Sequence, residues 1–157
     1  MMLLGRYVGS SLRPMIEAHV TIPSIRAGGF VQFLIDTGAD CTTVTPADGR
    51  RLRVDYSKLS LEDHSVGYTG STLDFICQGV VTFSEIGEVE YEYDVELRIT
   101  KPDSNIQELL MLPSLLGRDI LPWLRSRTIV SITSSSRSSG TISREWRRSG
   151  TRRPACR

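Results

Sequence analysis

The segment FLIDTGAD, residues 33–40, places an acidic side chain, Asp36, directly between an apolar run and a Thr-Gly turn. An ionised carboxylate beside a buried strand is costly unless it is hydrogen-bonded, paired with another charge or kept protonated. A carboxyl group in that position is either a structural cap or a place where chemistry is intended. The structural alternative is a strand-end turn in which Asp36 only accepts a local hydrogen bond.

A β-hairpin is the element that must deliver Asp36. Residues 15–22 alternate apolar and polar side chains over much of their length, and Pro23 ends the run. Residues 27–29, Ala-Gly-Gly, are predicted to form the turn into a second strand at 30–35. Because that strand ends just before Asp36, the hairpin places the carboxyl group at a strand end.

The rest of the body is also predicted to consist mainly of strands. Residues 89–99 alternate apolar and charged side chains, as a half-solvated strand requires. Thr45 is a possible N-cap for a helix that begins at Pro46 and ends near Leu52. The other predicted elements are a strand at 72–83 broken at Gly79, a buried segment at 109–117, a helix at 118–125 and a last strand at 128–133. This pattern predicts an all-β domain with one or two short helices.

Composition indicates one soluble globular domain. The chain has 157 residues, of which 39% are hydrophobic and 24% charged, and this length allows a real core. Three cysteines without CxxC spacing argue against a disulfide framework and against a zinc site. We therefore expect a reducing compartment and no metal or other cofactor. The first residues resemble neither a signal peptide nor a membrane span, so a cytoplasmic location is predicted.

Charge is distributed unevenly along the chain. Residues 125–157 contain nine arginines and one acidic residue, a net charge of +8, while residues 1–124 carry −7. Such a tail can contact nucleic acid or an anionic membrane by charge alone, but a solvated, disordered tail is the simpler expectation. The predicted organisation is an N-terminal segment at 1–13, a domain at 14–133 and a Ser/Arg-rich tail at 134–157.

Two motifs in this order resemble the hallmarks of the retropepsin-like aspartic proteases, the family of the retroviral proteases and their cellular relatives. The first is Asp-Thr-Gly-Ala-Asp at 36–40 after an apolar pair, and the second is LLGRDIL at 115–121. Between them, VGYTG at 66–70 is similar to the glycine-containing tip of the family's flap hairpin. The resemblance implies a closed β-barrel lobe that assembles as a two-fold homodimer.

The chemistry that the resemblance implies needs two carboxyl groups. One carboxylate takes a proton from the attacking water, and a protonated partner donates to the carbonyl oxygen of the peptide. Two like charges about 3 Å apart cannot both ionise, so the pair shares one proton and titrates as a unit. The chain contains one Asp-Thr-Gly and no Asp-Ser-Gly. A symmetric dimer, in which Asp36 of each subunit meets on the two-fold axis, is the economical solution.

The resemblance also gives roles to the neighbours of Asp36. Thr37, Gly38 and Ala39 would support the active site, with the Thr37 hydroxyl bonded across the dimer and Gly38 also contacting the peptide. Asp40 would face the substrate backbone and pair with Arg118, for which a plain surface ion pair is the alternative. The remaining predicted substrate contacts are Cys41, which could instead simply pack, and the flap residues Gly67, Tyr68 and Gly70, which an ordinary hairpin would also explain.

Two functional hypotheses follow. In the first, the protein is a homodimeric aspartic endopeptidase that cleaves extended peptides beside apolar residues. In the second, the same fold serves as a non-catalytic dimeric module that binds a peptide strand without hydrolysing it. An intact Asp-Thr-Gly-Ala-Asp favours the enzyme, since a binding module has no need of the carboxylate.

Overall fold

The computed structural model describes residues 2–10, 12–59, 62–67, 70–84, 90–102, 111–127 and 129–134. Within these ranges the chain forms nine strands and two short α-helices, so the predicted all-β class is confirmed. The strands are β1 (Met2–Val8), β2 (Arg13–Ile22), β3 (Ala27–Ile35), β4 (Thr43–Val44), β5 (Glu62–Gly67), β6 (Gly70–Ser84), β7 (Glu90–Thr100), β8 (Ser114–Leu116) and β9 (Ile129–Ser134). The helices are α1 (Pro46–Arg51) and α2 (Leu121–Arg127).

The described strands belong to one sheet that closes on itself. Their order is β5-β6-β7-β4-β8-β3-β2-β1-β9, and an additional pairing joins β6 to β2. That pairing makes a ring of six strands, with β5 outside it on one flank and β1 and β9 on the other. The closed barrel that was predicted is therefore present. It encloses a core of fully buried apolar side chains that includes Val20, Val31, Phe33, Phe83, Leu97 and Leu116.

The predicted hairpin that leads to Asp36 is formed by β2 and β3, but its turn differs from the prediction. A 3₁₀ turn at Pro23–Ile25, followed by Arg26 in the left-handed region with φ 53°, reverses the chain. The predicted turn residues Ala27, Gly28 and Gly29 all belong to β3. A Cβ on Gly28 would lie 2.9 Å from the carbonyl oxygen of Val20, so this glycine serves close strand approach.

The predicted break at Gly79 is wrong, because β6 runs without interruption from Gly70 to Ser84. Gly79 pairs with Val95 on β7. A Cβ there would lie 2.2 Å from a methyl carbon of Leu97 and 3.2 Å from the Thr21 carbonyl oxygen. The glycine therefore lets β6 pass between β7 and β2 at the point where the barrel closes.

The strand predicted at 89–99 is confirmed as β7. Its burial alternates, with Val95, Leu97 and Ile99 buried and Glu90, Glu92 and Asp94 exposed. The last predicted strand is likewise present, as β9, one residue later than expected.

Both predicted helices are present, and α1 begins at Pro46 as predicted. Thr45 is the N-cap residue of α1, but its side chain makes no capping hydrogen bond and donates to the carbonyl oxygen of Leu112 at 3.2 Å. The second helix begins at Leu121 rather than Arg118. Its start is delayed by a turn in which the backbone N–H of Ile120 donates to the Asp119 carboxylate at 2.9 Å.

The first strand had no counterpart among the predicted elements. β1 pairs antiparallel with β2 and parallel with β9, in a register that joins Met2 to Ile129 and Tyr7 to Ser134. The first residues thus extend the sheet that carries the domain. Of the helices in the described ranges, none is both long and apolar enough to span a membrane.

Candidate active site

Asp36 stands at the end of the central strand β3. This strand pairs with β2 on one side and runs parallel to β8 on the other, where Ile35 is opposite Leu116. The backbone N–H of Asp36 donates to the Leu116 carbonyl oxygen at 3.1 Å, and the Asp36 side chain is half-buried. Buried Val31 and Phe33 anchor the strand in the core. The core therefore fixes the Asp36 backbone while its carboxylate reaches the surface.

A tight turn holds the Asp36 carboxylate. Its Oδ1 accepts the backbone N–H of Gly38 at 2.8 Å, and the Asp36 carbonyl accepts the N–H of Ala39 at 3.3 Å. A Cβ on Gly38 would lie 3.1 Å from the same Oδ1, so a larger residue would press on the carboxylate. Thr37 and Gly38 are exposed and Ala39 is half-buried. This turn leaves the Asp36 side chain open to an incoming molecule.

The two sequence motifs cross each other in direct contact. A Cβ on Gly117 would lie 2.5, 2.6 and 2.9 Å from the carbonyl carbon, the oxygen and the nitrogen of Cys41. Backbone atoms cannot give way as a flexible side chain can, so the crossing requires glycine at this position. Next to it, the Arg118 N–H donates to the Ala39 carbonyl oxygen at 2.9 Å. The LLGRD segment is thereby locked to the loop that follows Asp36.

Asp40 and Arg118 are brought together as an ion pair between Asp40 Oδ1 and Arg118 Nη2. The side chains are 68% and 60% exposed, respectively. An ion pair so open to solvent contributes about 0–1 kcal/mol to stability. The pair therefore contributes little to the stability of the fold.

Behind that ion pair is a polar contact that the sequence analysis did not assign. The Asp119 carboxylate accepts the Thr42 N–H at 2.8 Å on Oδ2 and the Thr42 hydroxyl at 2.7 Å on Oδ1. The Thr42 hydroxyl oxygen in turn accepts the Gly117 N–H at 3.2 Å. Thr42 is fully buried. A polar residue shortly after the first motif and an acid inside the second were the available signals, but partners 77 residues apart are not visible in a local pattern.

A second buried polar contact supports the start of β8. Ser114, fully buried, donates its hydroxyl to Asp48 Oδ2 at 2.7 Å and accepts the Thr45 N–H at 3.1 Å. Asp48 is 7% exposed and also accepts Arg51 Nη1 on Oδ1 at 3.0 Å. Sequence reasoning placed Asp48 in a helix start and gave it no further role.

The two described cysteines differ in state. Cys41 is 7% exposed and disulfide-bonded, so the argument against disulfides drawn from the cysteine count is wrong at this residue. An odd number of cysteines still allows one pair, which the spacing argument overlooked. Cys77 is a half-buried free thiol, and burial raises its pKa to about 11.

The predicted flap corresponds to the hairpin of β5 and β6. The register pairs Gly67 with Gly70 and Val66 with Ser71, so two residues connect the strands, a common hairpin length. Tyr68 lies outside the described residues.

Within the described ranges, no three His, Cys, Asp or Glu side chains come together as metal ligands would. The three carboxylates near the crossing have different partners: Gly38 for Asp36, Arg118 for Asp40, and Thr42 for Asp119. Each of these three carboxylates is thus oriented by a neighbouring group of the protein.

No protein-family model matches the chain, and no curated protein matches it. Fourteen chains of solved structures match. A retropepsin-like aspartic protease from Rickettsia conorii is 19% identical over 73% of this chain and 82% of its own length, with a TM-score of 0.47. EIAV protease, complexed with the inhibitor HBY-793, is 20% identical over 74% of this chain and 92% of its own, with a TM-score of 0.44.

Proposed function

We propose that the protein is a homodimeric aspartic endopeptidase in which Asp36 of two copies forms the catalytic pair. The observation that carries the proposal is the setting of Asp36. Its backbone is fixed by Leu116, one carboxylate oxygen is oriented by Gly38, and the side chain is only half-buried. A strand-end cap needs the Gly38 bond alone. It does not need the close contact between Gly117 and the Cys41 backbone, which fixes the loop that follows Asp36.

The need for two copies follows from the chemistry. One carboxylate cannot both take a proton from water and donate one to the peptide carbonyl. The sequence offers one Asp-Thr-Gly per chain, so the second carboxyl group comes from a second chain. β9 supports this proposal because it ends the strand order of the described sheet. An edge strand presents unpaired backbone groups to which another chain can add.

In the proposed reaction, a water molecule lies between the two Asp36 carboxyl groups. The ionised carboxylate accepts a proton from this water as the water oxygen bonds to the carbonyl carbon of the peptide. The protonated carboxyl donates its proton to the carbonyl oxygen. Collapse of the resulting tetrahedral diol returns that proton to a carboxylate, and the first carboxyl protonates the departing amine. The pair thus regains its single shared proton.

The neighbouring residues take the supporting roles in this proposal. Thr37, Gly38 and Ala39 hold the pair, the exposed Gly38 allows the peptide backbone to approach, and Asp40 contacts the peptide beside its ion pair with Arg118. The proposed further contacts with an extended peptide are Cys41, Gly67, Tyr68 and Gly70. No cofactor is proposed.

The test is a cleavage assay on a denatured protein mixture from acidic to neutral pH, with and without an inhibitor that mimics the tetrahedral intermediate. We expect inhibitor-sensitive fragments from the natural chain and none from Asp36→Asn. Asp55→Asn is the matched control, since Asp55 is, like Asp36, a half-buried aspartate that accepts a hydrogen bond within its own turn, and it pairs with Lys58 away from both motifs. If Asp36→Asn cleaved as well as Asp55→Asn, the proposal would be refuted. Peptide binding without any fragments would support the non-catalytic module instead.

A further inference from the structure

We propose that Asp48 is a positioning residue that fixes the short strand β8 and, through β8, the backbone of Asp36. The part of this inference that concerns catalysis rests on the proposed function. Asp48 lies on α1, outside both sequence motifs, and nothing about its type or spacing marks it as part of an active site.

The contact between Asp48 and Ser114 leaves little freedom to either group. Ser114 Oγ has one proton, which it donates to Asp48 at 2.7 Å, and its oxygen accepts the Thr45 N–H at 3.1 Å. Ser114 is fully buried and Asp48 is 7% exposed, so water cannot readily replace either partner. A buried hydroxyl that loses its acceptor is destabilised by the full desolvation of that group. The start of β8 is therefore held where Asp48 lies.

β8 needs such support because it is very short. It has three residues, which pair in register with Phe33, Leu34 and Ile35 of β3. A slip of one residue would turn each of its side chains to the opposite face. At its other end, the Gly117 N–H donates to the buried Thr42 hydroxyl at 3.2 Å. Polar contacts thus fix both ends of β8.

The end of β8 is bonded directly to the Asp36 backbone. The carbonyl oxygen of Leu116, the final residue of β8, accepts the Asp36 N–H at 3.1 Å. A displacement of β8 moves this acceptor and with it the backbone that carries the catalytic carboxylate. Misplacement of a reacting group by about 1 Å can lower the rate about 100-fold. Asp48 therefore acts on kcat through geometry and contacts no substrate.

A set of four variants tests the role in catalysis. In Asp48→Ala and Ser114→Ala we expect kcat per titrated active site to fall about 10-fold to 100-fold, with KM nearly unchanged. Asp48→Asn keeps an acceptor for the Ser114 hydroxyl and should recover most of the rate. Arg51→Ala is the control, because Arg51 bonds to Asp48 but is 62% exposed, and its kcat should stay within about 2-fold of the natural chain. Equal loss in Asp48→Asn and Asp48→Ala, or loss of active sites with unchanged kcat, would overturn the proposal.

Amide hydrogen exchange, measured by NMR, tests the positional link without using activity. In Ser114→Ala we expect the Asp36 amide to exchange about 10-fold faster, since its acceptor is displaced. The Lys101 amide, which donates to Leu73 elsewhere in the sheet at 2.8 Å, should keep its rate. Equal acceleration of both amides, or of neither, would overturn the link. Absence of peptidase activity in the natural chain would refute the proposed function, while the exchange result would still decide the link.

Discussion

Two turns that meet at the glycine crossing use their aspartates in opposite ways. Asp36, after β3, is half-buried and has one carboxylate oxygen oriented by the Gly38 N–H. Asp119, after β8, accepts the Thr42 N–H, the Thr42 hydroxyl and the Ile120 N–H. Both aspartates are half-buried, but Asp119 ties two segments of the chain together, whereas Asp36 is oriented by a residue of its own turn. The comparison separates the carboxylate that ties the two motifs together from the carboxylate that we propose reacts.

The largest expected effect comes from adding one methyl group at each turn. In Gly117→Ala the new Cβ would overlap the Cys41 backbone, so we expect the free energy of unfolding to fall by about 3 kcal/mol. In Gly38→Ala the Cβ would meet only the Asp36 carboxylate at 3.1 Å, and stability should change by less than about 1 kcal/mol. Urea unfolding of the two variants measures both values. Equal free energies of unfolding for the two variants would contradict the distinction between the turn at Gly117, which fixes the fold, and the turn at Gly38, which orients Asp36.

The next effect concerns the hydroxyl groups of two threonines. Thr42→Val removes the hydroxyl that bonds to Asp119 and to the Gly117 N–H, while the backbone N–H of residue 42 can still donate to Asp119. The free energy of unfolding should fall by about 2 kcal/mol. Thr42→Ser keeps the hydroxyl and should lose much less. Thr37→Val, at an exposed position in the other turn, should change the stability of the single chain by less than about 0.5 kcal/mol. Any larger loss should be confined to the dimer, across which the Thr37 hydroxyl is proposed to bond. Thermal unfolding of the three variants decides whether the buried hydroxyl, rather than side-chain shape, supports the crossing.

A smaller effect is expected at the exposed ion pair between the two turns. Asp40→Asn and Arg118→Gln should each change the free energy of unfolding by less than about 1 kcal/mol, because both side chains are more than half exposed. If Asp40 contacts the peptide as proposed, KM should rise several-fold in Asp40→Asn while stability is kept. A large stability loss in either variant would mean that the pair holds the loop, as Asp119 does.

The smallest effect concerns the half-buried thiol of Cys77, whose pKa is set by burial. Burial raises the pKa of the Cys77 thiol to about 11, since the charged thiolate is disfavoured away from water. The folded protein should therefore react slowly with iodoacetamide at pH 8, and its rate should rise about tenfold per pH unit up to pH 10. Mass spectrometry of Cys77 before and after unfolding in urea measures the difference. Equal rates in both states would contradict the effect of burial.

Local patterns were sufficient to place Asp36 but not to find what supports it. The alternation in β2 and β7 and the apolar run before Asp36 are visible over a few residues, and these elements agree with the structure. Gly79 and the Ala27–Gly28 pair were misread as a break and a turn, because glycine serves close approach as well as reversal. Only contacts with other strands distinguish those uses.

The supporting carboxylates could not have been identified from the sequence. Asp48 and Ser114 are 66 residues apart, and Thr42 and Asp119 are 77 apart. In the sequence, Asp48 in a short helix and Asp119 after a Gly-Arg pair look like ordinary surface residues. Only the folded barrel brings them next to Ser114 and Thr42. The same is true of β1, whose place depends on its pairing with β9 at the other end of the described chain.

The central claim is that each functional site contains one Asp36 from each of two chains, and a subunit-mixing experiment tests it most directly. The natural chain is mixed with increasing amounts of Asp36→Asn at constant total concentration, unfolded and refolded together, and assayed for cleavage. If both carboxyl groups are needed, activity per total protein should fall as the square of the natural fraction, so that an equal mixture keeps about one quarter. A linear fall, with one half of the activity left in the equal mixture, would show that one chain is sufficient and would contradict the shared site.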